Sequence, residues 1–184
     1  MGIRKLLANS ASSVSTWGLR HIAKRPAANM PGKIALKLDP QIIAESMNKI
    51  SEGSIVVVGT NGKTTITNMI ADALERQGKT VACNRTGANL AYGVATTLLQ
   101  TKGTVQWGVF ESDELWLAHT LPQVQASYVL LLNLFRDQLD RCGEIDRVQD
   151  AIVQALNESP DTVLLYNACL LYTSPSPRDY AASR

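Results

Sequence analysis

An α/β fold, three layers around a mostly parallel sheet, is what this 184-residue sequence predicts. Three observations carry that expectation. Short β-branched or apolar runs recur at 54–58, 80–83, 105–110, 127–132 and 162–166, as buried strands do. Helical periodicity occupies 63–77, 89–100, 113–120 and 144–157 between them. Strands that alternate with helices form a parallel sheet covered on both faces.

Each element has a local reason. SIVVV at 54–58 is a compact β-branched run, and SYVLLL at 127–132 is the most apolar strand. Gly78 stops the helix 63–77, as glycine does after a last turn. Ile145, Val148, Ile152, Val153 and Leu156 share one face of 144–157. Near the start, Ile3, Leu6, Leu7, Val14 and Trp17 suggest a short amphipathic helix over 3–17, interrupted by Ser10. Pro26, Pro31, Gly32 and Pro40 make 26–40 read as a linker. LLYTSPSPRDYAASR, residues 170–184, has two Ser-Pro steps and no period; such a segment continues neither helix nor central strand. Residues 169–184 are therefore expected to be an unstructured tail, either native or an artefact of assembly or cloning.

An apolar share of 45% and a charged share of 18% are ordinary for one soluble domain. A formal charge of +2 points to no nucleic-acid partner. The distribution says more. Arg4, Lys5, Arg20, Lys24, Arg25, Lys33 and Lys37 all precede the first acid, Asp39. This basic arm reads as a contact for anionic membrane or as a solvated terminus; an organelle transit peptide is a further alternative. No apolar run approaches the roughly 20 residues of a membrane-spanning helix, and no secretory signal is visible. Cys83, Cys142 and Cys169 form no CxxC pair, which suggests reduced thiols in a cytosol and no complete zinc site.

The chemistry concentrates after the first strand, in Gly59-Thr60-Asn61-Gly62-Lys63-Thr64-Thr65. Glycines admit phosphate oxygens close to backbone N–H groups. The following helix adds unpaired donors and a favourable dipole. Lys63 would neutralise terminal phosphates and the Thr64 hydroxyl would hold Mg²⁺. Gly59 and Gly62 are three apart, shorter than the general phosphate-loop spacing, and Val57 stands five before Gly62. A plain strand-to-helix turn is the alternative. Glu111 ends the strand WGVF at the ligand edge of such a sheet. It reads as a Mg²⁺ ligand or as a solvated acid at a helix start, where Asp113 and Glu114 also suit the dipole. Asn89 can cap the helix it precedes. Asn133–Arg141 follows the strand 127–132 at the same edge. There Asp137 and Asp140 order the loop or act as plain caps.

GTNGKTT resembles the nucleotide loop of the Mur ligase family, which includes muramyl-peptide ligases and folylpolyglutamate synthases. PGKIALKLDP (31–40), NRTGANL (84–90) and NLFRDQLDR (133–141) narrow the resemblance to one branch, and it covers roughly 30–168. The resemblance implies a basic arm and linker at 1–40 and part of the family's central ATP-binding domain at 41–168. It implies ATP and Mg²⁺, held by Gly59, Thr60, Asn61, Gly62, Lys63, Thr64, Thr65, Asn89 and Asn167, with Thr64 and Glu111 on the metal. Gln138 stands where many members carry a metal-binding histidine, and an amide is the poorer ligand. Asn167-Ala168 begins an adenine-contacting segment that Cys169 and Leu170 then break.

The branch amidates the D-glutamate α-carboxylate of lipid II to D-isoglutamine, with a GatD-type glutamine amidotransferase subunit. It implies a cytoplasmic location at the inner membrane face. It also implies a zinc ribbon and closing domain further along, so this chain is expected to be an inactive fragment. Another Mur-type ligase, a folylpolyglutamate synthase for example, and a phosphate-loop module without ligase activity are the alternatives.

Overall fold

The computed structural model describes residues 29–134 and 144–167. Five parallel strands form one sheet: β1 (Ile50–Val58), β2 (Val81–Cys83), β3 (Val105–Glu111), β4 (Tyr128–Leu131) and β5 (Val163–Tyr166). Their order is β2-β3-β1-β4-β5. The helices that follow the loop are α3 (Lys63–Arg76), α4 (Ala91–Gln100), α5 (Leu117–Val124) and α6 (Glu144–Asn157). This is the α/β architecture expected.

Topology decides which helix covers which face. The β1-to-β2 connection runs one way across the sheet, and the later connections run back the other way. Right-handed crossovers then place α3 on one face and α4, α5 and α6 on the opposite one. The pleat agrees. Val56, Val58, Phe110 and Val129 are fully buried in a core with Leu98, Leu117, Leu121 and Ala155. Val57 and Val109 alternate to the other side, where α3 packs on β1, β2 and β3. Glu111 follows Val109 by two residues and so shares the α3 face.

The expected linker at 26–40 needs correction. Residues Met30–Leu38 form a helix, α1, and Ile42–Ser46 a short second one, α2. Pro31 sits in the first turn of α1, where its missing N–H costs nothing. Gly32 lies against α4: a Cβ there would be 1.9 Å from the Tyr92 carbonyl oxygen. Its N–H donates to Thr96 Oγ1 at 2.9 Å. The two residues read as breakers are thus a helix start and a point of close helix contact.

Two boundaries also move. β1 begins at Ile50 rather than 54, with an irregular register between Ile50 and Gly53. The helix expected over 113–120 spans Leu117–Val124. Asp113 explains the delay, because its Oδ1 accepts the Leu115 N–H at 3.0 Å and forms a turn instead. The 3–17 helix, the 169–184 tail and Asp137, Gln138 and Asp140 lie outside the described residues. Among the described residues no helix is long and apolar enough to cross a membrane.

Candidate nucleotide site

β1 is the central strand, and its carboxyl end opens at the edge where ligands of such sheets bind. Gly59 leaves it with φ at 146° and Gly62 caps α3 in the left-handed region at 87°, both backbone states that side chains oppose. Gly59 has a second constraint: an added Cβ would lie 3.0 Å from Leu132 Cβ and 3.1 Å from Asn133 N. The loop is therefore folded down onto the end of β4.

Asn133 holds it there. The Thr60 N–H donates to the Asn133 carbonyl at 3.0 Å. The Asn61 N–H donates to Asn133 Oδ1, and Asn133 Nδ2 donates to the Asn61 carbonyl, both at 2.9 Å. One side-chain amide thus mimics a strand partner for one loop residue. The donors left for an anion come after it. The Ile66 N–H donates to the Gly62 carbonyl at 3.0 Å as the first bond of α3. The N–H groups of Lys63, Thr64 and Thr65 precede it, and helices leave such first-turn donors without an internal partner.

Lys63 reaches back over the loop. Its ammonium donates to the Gly59 carbonyl and pairs with Glu114 Oε1 at 3.2 Å. Glu111 lies on the adjacent strand β3, in register with Val57 of β1. It is 1% exposed, and its Oε2 has no hydrogen-bond partner. A methyl group on Gly87 would lie 3.4 Å from Thr64 Oγ1 and 3.9 Å from Glu111 Oε1. A hydroxyl and a buried carboxylate with an unpartnered oxygen therefore border one small space beside the loop. Oxygen donors of this kind suit Mg²⁺, which takes one or two carboxylates and completes its shell with phosphate and water. Among the described residues no three His, Cys, Asp or Glu side chains converge.

The remaining expected residues sit along the same edge. The Asn89 carbonyl accepts the Asp113 N–H at 2.8 Å, two residues beyond Glu111. Leu90, not Asn89, caps α4, so the capping alternative for Asn89 is overturned: the helix begins one residue later. Asn167 follows β5, two strands from β1, and its N–H donates to the Leu131 carbonyl at 3.3 Å. The role of Asn133 as the loop's clamp has no signal among its sequence neighbours, and Glu114, expected at a helix dipole, stands instead against Lys63. Cys83, at the end of β2, is a half-buried thiol whose pKa that burial pushes up to about 11.

The fold and this edge define an α/β domain with a phosphate-type loop at the end of its central strand. Residues 57–173 match the Mur ligase middle domain, and the chain belongs to the Mur ligase family. It is 34% identical over 187 residues to the lipid II isoglutaminyl synthase (glutamine-hydrolysing) subunit MurT of Streptococcus pneumoniae, covering 98% of this chain and 41% of that one. The Staphylococcus aureus (strain COL) MurT subunit is 33% identical over 147 residues, 79% of this chain and 33% of its own. The chain therefore spans well under half the length of these curated relatives. Among solved structures, the MurF ligase of Thermotoga maritima in complex with ADP superposes with a TM-score of 0.60 at 20% identity, over 78% of this chain and 34% of that one. That likeness concerns the fold.

Proposed function

We propose that this chain forms the nucleotide-binding part of an ATP-dependent amide-forming ligase of peptidoglycan synthesis. The observation that carries the reading is the juxtaposition of the α3 N-terminus with Thr64 Oγ1 and the buried, unpartnered Glu111 oxygen. Gly62, Lys63, Thr64 and Thr65 would receive the phosphates, while Gly59, Thr60 and Asn61 shape the turn. Asn89 would border the phosphates and Asn167 the adenine. Thr64 and Glu111 would hold Mg²⁺, which supplies charge neutralisation for phosphoryl transfer.

The reaction follows the isoglutaminyl synthase relatives. The D-glutamate α-carboxylate of lipid II attacks the γ-phosphorus of ATP, and ADP departs. Ammonia from a GatD-type glutamine amidotransferase subunit then attacks the acyl carbon, phosphate leaves with the C–O electron pair, and the nitrogen's surplus proton ends on the released phosphate. Lys63 lies where it can meet the charge gathering on the transferred group. The lipid-linked substrate places the work at the inner membrane face. Lys33 and Lys37 stand exposed on α1, and the cations of the preceding arm would add to their attraction for anionic lipid.

Calorimetry of this chain with ATP, with and without Mg²⁺, tests the nucleotide site. No Mg²⁺-dependent binding would remove it. The gene's whole product, given ATP, glutamine, lipid II and the partner subunit, tests the substrate. Amidation lowers the lipid II mass by about 1 Da as hydroxyl becomes amide. Ligation of a folate acceptor instead would leave the site standing and remove lipid II.

A further inference from the structure

We infer that Asn84 is a positioning residue for the Glu111 carboxylate, an inference that rests on the Mg²⁺–nucleotide reading above. β2 ends at Cys83, paired with Val109, so β3 runs past it before reaching Glu111. The backbone groups of Glu111 on that side then have no strand to meet. Asn84 supplies one with its side chain. Its Oδ1 accepts the Glu111 N–H at 2.9 Å, and its Nδ2 donates to the Glu111 carbonyl at 3.0 Å. The second Nδ2 proton goes to the Ala88 carbonyl at 2.8 Å.

The bond set is specific to a carboxamide of this length. Two donors and an acceptor are used together, in a residue 3% exposed, where water cannot replace a lost partner cheaply. The other flank of Glu111 is held by β1, through the Ser112 N–H to the Val57 carbonyl at 2.9 Å. Asn84 is thus the second of two supports for the main chain from which the carboxylate springs. Through Ala88 it also fixes the turn at Gly87, the residue that faces both Thr64 Oγ1 and Glu111 Oε1. The Glu111 side of the small space and the turn that faces it thus hang on one side chain. The Lys63–Glu114 pair and the Asn133 clamp involve other residues, so Asn84 bears on Glu111 first and on the loop only through the turn at Gly87 and Ala88.

The test is ATP binding to Asn84→Ala and Asn84→Asp, each titrated with and without Mg²⁺. Removing a residue that orients a metal ligand costs about 10- to 100-fold in metal affinity, and the gain in ATP affinity on adding Mg²⁺ should fall by that order. Metal-free ATP binding should fall several-fold less than the Mg²⁺ effect does, because the Glu111 backbone takes two of the three Asn84 bonds. In a Glu111→Gln background, Asn84→Ala should remove no further Mg²⁺ effect. Equal losses with and without metal would make Asn84 a general support and overturn the proposal. A wild-type chain lacking any Mg²⁺ effect would instead overturn the nucleotide reading, and this inference with it. Should neither variant fold, Asn84→Ser keeps one donor and one acceptor. Failure of all three to fold would assign Asn84 to the fold and overturn a metal-specific role.

Discussion

Lys63 and Glu114 meet at 3.2 Å across the mouth of the loop, both side chains largely buried, at 14% and 12% exposed. They lie 51 residues apart in sequence. A phosphate arriving at Lys63 must share or displace that carboxylate. Glu114→Gln should therefore tighten metal-free ATP binding several-fold. Lys63→Ala should weaken it by about 1.5–3 kcal/mol, the worth of a charge-assisted contact. The double variant should lose less than Lys63→Ala alone, because the single change strands an acid beside the phosphates. Calorimetry on the four proteins measures the coupling; strict additivity would mean that Glu114 does not act through Lys63.

Glu111→Gln keeps the shape of the side chain and removes its charge. The Mg²⁺-dependent part of ATP binding should fall well below wild type, while metal-free binding holds or improves as a repelling charge leaves. Titration of Mg²⁺ at fixed ATP reads this directly. An unchanged Mg²⁺ effect would return Glu111 to a plain structural acid.

Asn133→Ala removes both side-chain bonds to Asn61 and leaves the main-chain bond to Thr60. The loop should loosen, with ATP affinity down by about 1–3 kcal/mol for two lost polar contacts. Asn133→Asp restores the acceptor but adds a negative charge beside the phosphates, so it should bind no better than alanine. If both variants bind like wild type, the clamp is not what shapes the site.

Gly32→Ala should destabilise the chain by about 1–3 kcal/mol, the range for overpacking, because its Cβ would overlap the Tyr92 carbonyl. Urea unfolding gives the number. A neutral result would mean that α1 and α4 can part without cost.

Cys83 should alkylate slowly near neutral pH. Burial lifts its thiol from 9.0 to about 11, and only the thiolate reacts. Two pH units correspond to about 100-fold less thiolate at pH 8. Modification by iodoacetamide, followed by peptide mass, should rise steeply toward pH 11. Labelling as fast as a free thiol would show β2 opening.

What could be read from the residues alone followed chain order. Gly59 to Thr65 and the helix after them are contiguous, so local chemistry sufficed. Glu111 could be placed because a strand end fixes where its next residue stands. Asn133 and Glu114 resisted for the opposite reason: each meets the loop across a long sequence interval that only the sheet closes. Residues 30–38 misled because Pro31 and Gly32 break helices in their interior, but serve one at its first turn and at a tight contact. Asp113 shifted α5 by competing for a nearby N–H.

β1 is flanked by β3 on one side and β4 on the other, with Val56, Val57 and Val58 wholly enclosed. Amides so placed exchange with solvent only through the rarest openings of a fold. The phosphate loop thus springs from a segment with every reason to be the slowest to exchange, while β5 at the rim has a neighbour on one side alone among the described residues. Deuterium uptake should spread inward from that rim, reaching the root of Gly59 last, so the loop keeps its anchor through the small fluctuations that loosen the outer strand.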